Sequence, residues 1–409
     1  MVEKVSRPEL KVYGYRWMVL LVFGIINIVI QMQWLTFAPI AKAAQSFYGV
    51  SALEIDLFSI VYLAVFILFC IPSTHIINKY GLRKSIGLGA ILAGIFGLTK
   101  GIFAADYTLV LISQIGLAFA QPLIINAGTT VAVRWFPITE RATATGVAML
   151  TQFLGMIIAM ILTPQLIETG SPGNYDISGM LMTYGWISLA SAVLLLIFLR
   201  EKPPTSPNIA GEEERINILE GIGQMLRNRD MQFLLILFFM GLGMFNAVTT
   251  CIDQICKIKG MNFEQTGLIG GMMLIGGVLG ASIFPVISDK LKKRKAVFVI
   301  TVALSIPGLV GLTIAMPYTL LLVSSFAFGF FFLGGSPIFF QYSAEINAPA
   351  PESASQGLLL LAGQISGIIF VIAMNSFGMI ESMYVFIAFS LFNLVLCLLM
   401  KESKMIQTA

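Results

Sequence analysis

Twelve runs of mostly apolar residues divide the chain from end to end, at 15–40, 55–77, 85–105, 107–133, 142–164, 180–199, 231–255, 266–287, 296–316, 318–342, 354–376 and 382–400. About 20 apolar residues in helical form cover the hydrocarbon thickness of a bilayer. Lipid offers no water to pair backbone N–H and C=O groups, so a run of this length must satisfy them internally, as a helix. The chain is 57% hydrophobic and 11% charged, against about 45–50% and about 25% in soluble domains. In water it would expose far too much apolar surface. The expected fold class is therefore an all-α membrane protein of twelve transmembrane helices.

Orientation follows from the basic residues. Counting Lys and Arg on alternate sides of the twelve runs gives 21 on the side that carries both termini and four on the other, namely Lys42, Lys100, Lys257 and Lys259. Basic loops stay in the cytoplasm, so both termini are expected there, with the protein in the cell membrane. The polar N-terminus shows no short apolar core with a cleavage site, which points to an uncleaved first span. The longest polar stretch, 200–230, holds Pro203, Pro204 and Pro207, then Glu212, Glu213 and Glu214, then an amphipathic segment from Arg215 to Leu226. It reads as a linker with one helix lying along the membrane surface. Cys70, Cys251, Cys256 and Cys397 lack zinc-like neighbours and read as small core residues.

One spacing recurs. Gly49 and Gly260 follow the first and seventh runs, the basic segments starting at Asn78 and Asp289 follow the second and eighth, and Gly146 and Gly357 open the fifth and eleventh. Each pair is 211 residues apart. The expectation is two pseudo-symmetric six-helix halves in parallel orientation, 1–199 and 231–409, joined by the 200–230 linker. Parallel halves around a midplane site are a transporter plan.

The segment "NKYGLRK" resembles the cytoplasmic loop signature of major facilitator proteins, with Asn78 at the acidic position, Gly81 at the glycine, and Arg83 and Lys84 at the basic ones. Asp289 and Lys290 keep the acid–base pair in the second half, where Lys292 or Lys293 replaces the glycine. The resemblance implies a conformational latch at Asn78, Gly81, Arg83, Lys84, Asp289 and Lys290. Plain positive-inside topology explains the same lysines. The Gly-Pro pair that many drug/proton antiporters of this class carry in span five is absent.

A narrower likeness lies in Gln33-Trp34, Phe47-Tyr48-Gly49-Val50, Ile55-Asp56, Ser59, Val61-Tyr62, Ala120-Gln121 and the "VRWFP" from Val133. These resemble the feline leukaemia virus subgroup C receptor-related transporters, with looser matches at Met244-Phe245-Asn246, Asp253-Gln254 and Gly363-Gln364. That resemblance implies transport of choline, ethanolamine or haem, and a cationic pocket at Trp34, Gln121, Asn246 and Gln364. The pocket that the resemblance implies has a tyrosine in span seven, and Asn246 at that position is the departure. A ring there helps cage a quaternary ammonium. Phe245 is the nearest substitute, and other small amines or polar metabolites stay open.

Depth along the helices is compatible with one central cavity. Gln121 and Gln364 fall near mid-span, Trp34 and Asn246 somewhat toward the outer side. An amide in hydrocarbon must face protein or water, so the glutamines read either as solute contacts or as interhelical hydrogen bonds. Trp34 reads as a pocket ring or as an interface anchor. Gln33, Asn126 and Gln152 are further cavity candidates. Asp56, Lys100, Asp253 and Glu345 lie toward span ends, and the one histidine, His75, lies near the cytoplasmic end of span two. With no buried cation expected, anionic solutes are disfavoured, and a neutral or cationic solute moving down its gradient fits best. Organic-acid, drug or haem transport, with or without proton coupling, and a non-transporting receptor are the alternatives. The remaining expectations are a monomer in the lipid bilayer with a small-molecule substrate, no nucleic-acid partner, no cofactor or metal, and no enzymatic activity.

Overall fold

The computed structural model describes residues 12–137, 140–169, 175–205, 218–347 and 352–403. Twelve helices in it are long and apolar enough to cross a membrane: Tyr15–Tyr48, Ala52–Tyr80, Leu82–Ile102, Tyr107–Trp135, Thr143–Leu166, Ser178–Phe198, Arg229–Thr250, Phe263–Leu291, Arg294–Ile314, Tyr318–Asn347, Ser355–Phe377 and Met379–Leu399. They are spans 1 to 12 below. Both ends of the described chain lie on one face of the bundle, the terminal face, and the opposite side is the far face. Between spans 6 and 7 a helix runs over Ile218–Arg227, overlapping the amphipathic segment expected from Arg215 to Leu226. Pro207 and the three glutamates at 212–214 lie outside the described residues.

The repeat is visible in how the elements start, stop and pack. Span 2 opens with a capping box in which Ser51 and Glu54 satisfy each other's backbone N–H, and span 8 opens with the same device from Asn262 and Gln265, 211 residues on. Gly49 and Gly260 close the preceding helices in left-handed conformation, with φ of 66° and 77°. Gly81 has φ of 88°, and its repeat mate is Lys292, held at φ 50°. A lysine thus takes the glycine's place, which resolves the choice left open between Lys292 and Lys293.

Spans 1 and 5, 2 and 4, 3 and 4, and 3 and 6 pack together, and spans 7 and 11, 8 and 10, 9 and 10, and 9 and 12 repeat those four pairings. Between the two sets of six, the principal contacts are span 5 with span 8 and span 2 with span 11. Small residues set these distances, as they do where lipid gives helices no hydrophobic reason to associate. A methyl group at Gly276 or Gly280 would run into the Phe326 or Phe330 carbonyl of span 10, and one at Gly155 into the Ile28 carbonyl of span 1. Span 1 is interrupted after Trp34, where the α-helix gives way to a turn and the short 3-10 segment Ala38–Ile40 around Pro39.

Candidate functional site

Span 1 turns a polar stripe toward its neighbours at mid-depth. Gln121 Nε2 of span 4 donates to Gln31 Oε1 at 3.4 Å, and Gln31 Nε2 donates to Gln152 Oε1 of span 5 at 3.3 Å. Trp34 stands one turn further along the same helix. It is buried, and its indole N–H has no partner among the described residues. A buried N–H without an acceptor is uncommon. In the second set of six, Asn246 Nδ2 of span 7 donates to Gln364 Oε1 and to the Gly363 carbonyl of span 11, both at 3.4 Å. Phe245 stacks on Phe332 of span 10 with centroids 6.3 Å apart. The two groups approach each other where span 2 meets span 11. There a methyl on Gly367 would lie 3.1 Å from both Asn246 Cβ and Leu63 Cδ1, and Ser59, one turn before Leu63, donates to the Trp34 carbonyl at 3.4 Å.

Two expected cavity residues lie elsewhere. Gln33 Nε2 donates to Ser188 Oγ at 2.7 Å and to the Tyr184 carbonyl at 3.2 Å, so its amide is spent on span 6. Asn126 Nδ2 binds Ser73 Oγ at 3.0 Å and the Cys70 carbonyl at 3.3 Å on span 2. Helix geometry explains the exchange of Gln33 for Gln31. Residues three apart share a face, while adjacent residues point about 100° apart, so Gln31 and not Gln33 belongs beside Trp34. The interface-anchor reading of Trp34 does not fit a side chain this buried.

Asp56, Lys100 and Asp253 lie at or just past span ends, as the sequence reading has them, but they are buried. Lys100 is 0% exposed. Its ammonium donates to Thr36 Oγ1 at 3.3 Å and Gln114 Oε1 at 3.2 Å and lies 5.4 Å from the Phe37 ring, with no carboxylate in ion-pair distance among the described residues. Thr36 in turn donates to the Met32 and Gln33 carbonyls, and Gln114 to those of Gln33 and Phe58. Lys100 therefore braces the break in span 1, inside the first set of six, and is a buried cation that the sequence reading did not anticipate.

At the far face the two sets of six are joined by hydrogen bonds. Asp56 of span 2 accepts from Asn375 Nδ2 of span 11 at 2.7 Å, from Gln254 Nε2 at 2.8 Å and from Cys251 Sγ at 3.5 Å. Asp253 accepts the backbone N–H of Lys42 at 2.7 Å. Tyr175 meets Phe263 edge-on with centroids 5.2 Å apart. Burial pushes the Asp253 carboxyl up to about 7, opposed by the Lys42 N–H and by the Lys257 and Lys42 ammoniums, with the Asp56 charge adding to the rise. Among the described residues, every hydrogen bond between the two sets of six lies at this face.

At the terminal face each set of six closes on itself. Glu201, just after span 6, accepts the N–H groups of Leu82 and Arg83 at 3.0 and 2.7 Å and pairs with Arg134. Glu402, just after span 12, accepts the N–H of Arg294 at 2.7 Å. Arg294 reaches Asp289 at 2.6 Å and Glu345 at 2.9 Å. Arg134 and Glu345 are repeat mates of opposite charge. Of the latch candidates, Asp289 is thus paired within its own set of six. Asn78, Gly81, Arg83 and Lys84 line a cleft of about 430 Å³ beside Glu201, and Lys290 lies in the last turn of span 8.

Residues 23–371 match the Major Facilitator Superfamily. The chain is 29% identical over 381 residues to zebrafish (Danio rerio) solute carrier family 49 member A3, covering 89% of this chain and 79% of that one. It is 28% identical over 387 residues to the human choline/ethanolamine transporter FLVCR2, covering 90% and 74%. Among solved structures, a bacterial homologue of the human lysosomal transporter Spinster superposes with a TM-score of 0.75 at 13% identity, covering 95% and 97%. The D-xylose–proton symporter superposes with a TM-score of 0.71 at 12% identity, covering 94% and 97%. These two likenesses establish the fold. With a family match over most of its length and twelve spans of the matching architecture, the chain is a membrane transporter of the major facilitator superfamily.

Proposed function

We propose that this protein is a facilitative transporter of a small polar or cationic organic solute, with choline and ethanolamine as the favoured substrate class. The observation that carries the reading is a layer of neutral amides from both sets of six, Gln31, Gln121 and Gln152 on one side and Asn246 and Gln364 on the other, with Trp34 and Phe245 beside them. A ring face attracts an ammonium and amides bind hydroxyl or amine groups. Lys100 is spent on the break in span 1, so among the described residues no cation is offered to an anionic solute at this layer. The names of the relatives FLVCR2 and FLVCR1 as choline/ethanolamine transporters support the same class.

In this reading residues 1–199 and 231–409 are two bodies that rock about the site, with 200–230 as a cytoplasmic linker and both termini in the cytoplasm of a cell-membrane protein. The hydrogen-bonded far face is then the outer seal, and the conformation is inward-facing. The latch residues Asn78, Gly81, Arg83, Lys84, Asp289 and Lys290 engage across the cytoplasmic mouth only when it closes.

The test is thermal stabilisation of the purified protein by choline, ethanolamine, other small amines, haem and organic acids, followed by uptake in vesicles. Stabilisation by choline or ethanolamine with matching uptake is the expected result. Stabilisation by organic acids or haem alone would replace the substrate class and leave the fold untouched.

A further inference from the structure

A second cleft, open along one side and of about 800 Å³, lies apart from the central layer at the terminal ends of spans 8 and 9. Its rim carries Lys292, Lys293 and Lys295, and its wall is formed by Ala296, Val299 and Ile300 of span 9. The wall residues are three and four apart, so they share one helix face, and Ile300 is exposed, as is Leu291 at the rim. In a membrane-spanning helix that exposed apolar face borders lipid. From Lys295 to Ile300 the helix descends roughly 8 Å, the step from a headgroup to the first methylenes of its acyl chain.

The charges of the cleft are open to a ligand. Its one acid, Glu402, is occupied by the backbone N–H groups of Arg294 and Lys295 at 2.7 and 3.2 Å. Among the described residues no carboxylate lies in ion-pair distance of Lys292, Lys293 or Lys295, since Asp289 and Glu345 are both taken by Arg294. Three cations against one carboxylate leave the cleft net positive above an apolar wall, which matches a molecule that is anionic at one end and apolar at the other. The repeat-related cleft in the first set of six also carries three basic side chains, Lys79, Arg83 and Lys84, and differs in its wall. There Arg134 is paired with Glu201, Lys79 lies 5.4 Å from the Tyr80 ring, and no aliphatic wall is present.

We propose that the cleft between spans 8 and 9 is a binding site for an anionic phospholipid, with its phosphate held by Lys292, Lys293 and Lys295 and an acyl chain laid along Ala296, Val299 and Ile300. Basic side chains at the membrane surface each add to the attraction for anionic headgroups. The short loop closes only through the left-handed Lys292, which fixes the rim beside the start of span 9. Bound lipid therefore anchors this end of the second set of six to one leaflet.

The test is native mass spectrometry of the full chain, released from detergent with phosphatidylglycerol or phosphatidylcholine. Preferential retention of phosphatidylglycerol is expected, and K292Q/K293Q/K295Q should lower it by about tenfold or more. The surface control K79Q/R83Q/K84Q should leave it unchanged. Ala296→Trp keeps every charge but fills the apolar wall, and it too should lower retention. Equal retention of phosphatidylcholine overturns the proposal, as does an equal loss in the control. So does full displacement by inorganic phosphate, or unchanged retention in folded Ala296→Trp, since either would make the cleft a simple anion site.

Discussion

Lys42 and Asp253 hold the same place in the two repeats, 211 residues apart, and bond to each other: the backbone N–H of Lys42 donates to Asp253 Oδ2 at 2.7 Å. Repeat mates that touch must lie beside the pseudo-two-fold axis. Any rocking that parts the far face has to break this bond and those made by Asp56, 14 residues beyond Lys42.

Asp56→Ala should loosen the far-face seal. It removes acceptors from Gln254, Asn375 and Cys251 at once. Hydrogen bonds to a charged group contribute about 1.5–3 kcal/mol each, so the far-face-open population should rise on the order of tenfold or more. Labelling of Cys251 by a membrane-impermeant thiol reagent, in a background with the other cysteines replaced by serine, measures this. Unchanged labelling would mean that the seal does not depend on Asp56.

The same seam should respond to pH. The Asp253 carboxyl sits at about 7 when the seam is closed and returns toward an ordinary value near 4 when it is hydrated. The closed seam therefore binds more protons. Its advantage from Asp253 is fully present below about pH 4, shrinks as pH rises from there toward 7, and is gone above it. Asp56, Cys251, Cys256, Lys42, Lys257 and Lys259 are the other titratable groups around this carboxyl. Cys251 labelling should rise with pH across that window once corrected for thiolate formation with a free thiol. Asp253→Asn should flatten the response. A profile identical in wild type and Asp253→Asn would remove Asp253 as the titrating group.

Pocket substitutions should separate Gln31 from Gln33. Trp34→Ala should weaken choline binding several-fold, through loss of a cation–π contact of about 0.5–2 kcal/mol. Gln31→Ala and Gln121→Ala should each cost about 1 kcal/mol in affinity. Gln33→Ala should lower thermal stability with little change in affinity, since its amide serves Tyr184 and Ser188. Asn246→Tyr should tighten choline binding. Isothermal titration of purified protein gives all five values, and loss of affinity in Gln33→Ala alone would reverse the assignment.

Arg294→Gln should destabilise the terminal face. Arg294 and Glu345 are each 8% exposed in their side chains, so removing the cation leaves a buried acid unpaired. Breaking such a pair costs about 3–5 kcal/mol. A Tm drop on the order of 5 °C or more is expected, partly restored by adding Glu345→Gln. No restoration would mean that Arg294 acts through Asp289 and the backbone.

The fold was legible because its signals are local and redundant. Twelve apolar runs, alternating basic loops and one spacing each report the same architecture, and Ser51 and Asn262 even mark where two spans begin. The site was less so. Gln121 and Gln364 stood out as amides at mid-span, but choosing Gln31 over Gln33 requires knowing which face of span 1 meets spans 4 and 5. Distance from a span end suggested that Asp56, Lys100 and Asp253 were near water. Their burial comes from the seam and from the break in span 1, tertiary features that no stretch of sequence carries alone.

The amides of the central layer are not repeat mates of one another. Positions corresponding to Gln31, Gln121 and Gln152 hold Leu242, Phe332 and Gly363, and those corresponding to Asn246 and Gln364 hold Leu35 and Phe153. A symmetric frame thus carries an asymmetric set of amides. If these amides hold the solute as proposed, one with distinct head and tail fits in a single attitude and keeps it while the frame rocks, so it leaves head-first in one direction and tail-first in the other. On the facilitative reading proposed above, influx and efflux then pass over different intermediate barriers and saturate at different concentrations, while both sides come to the same final balance.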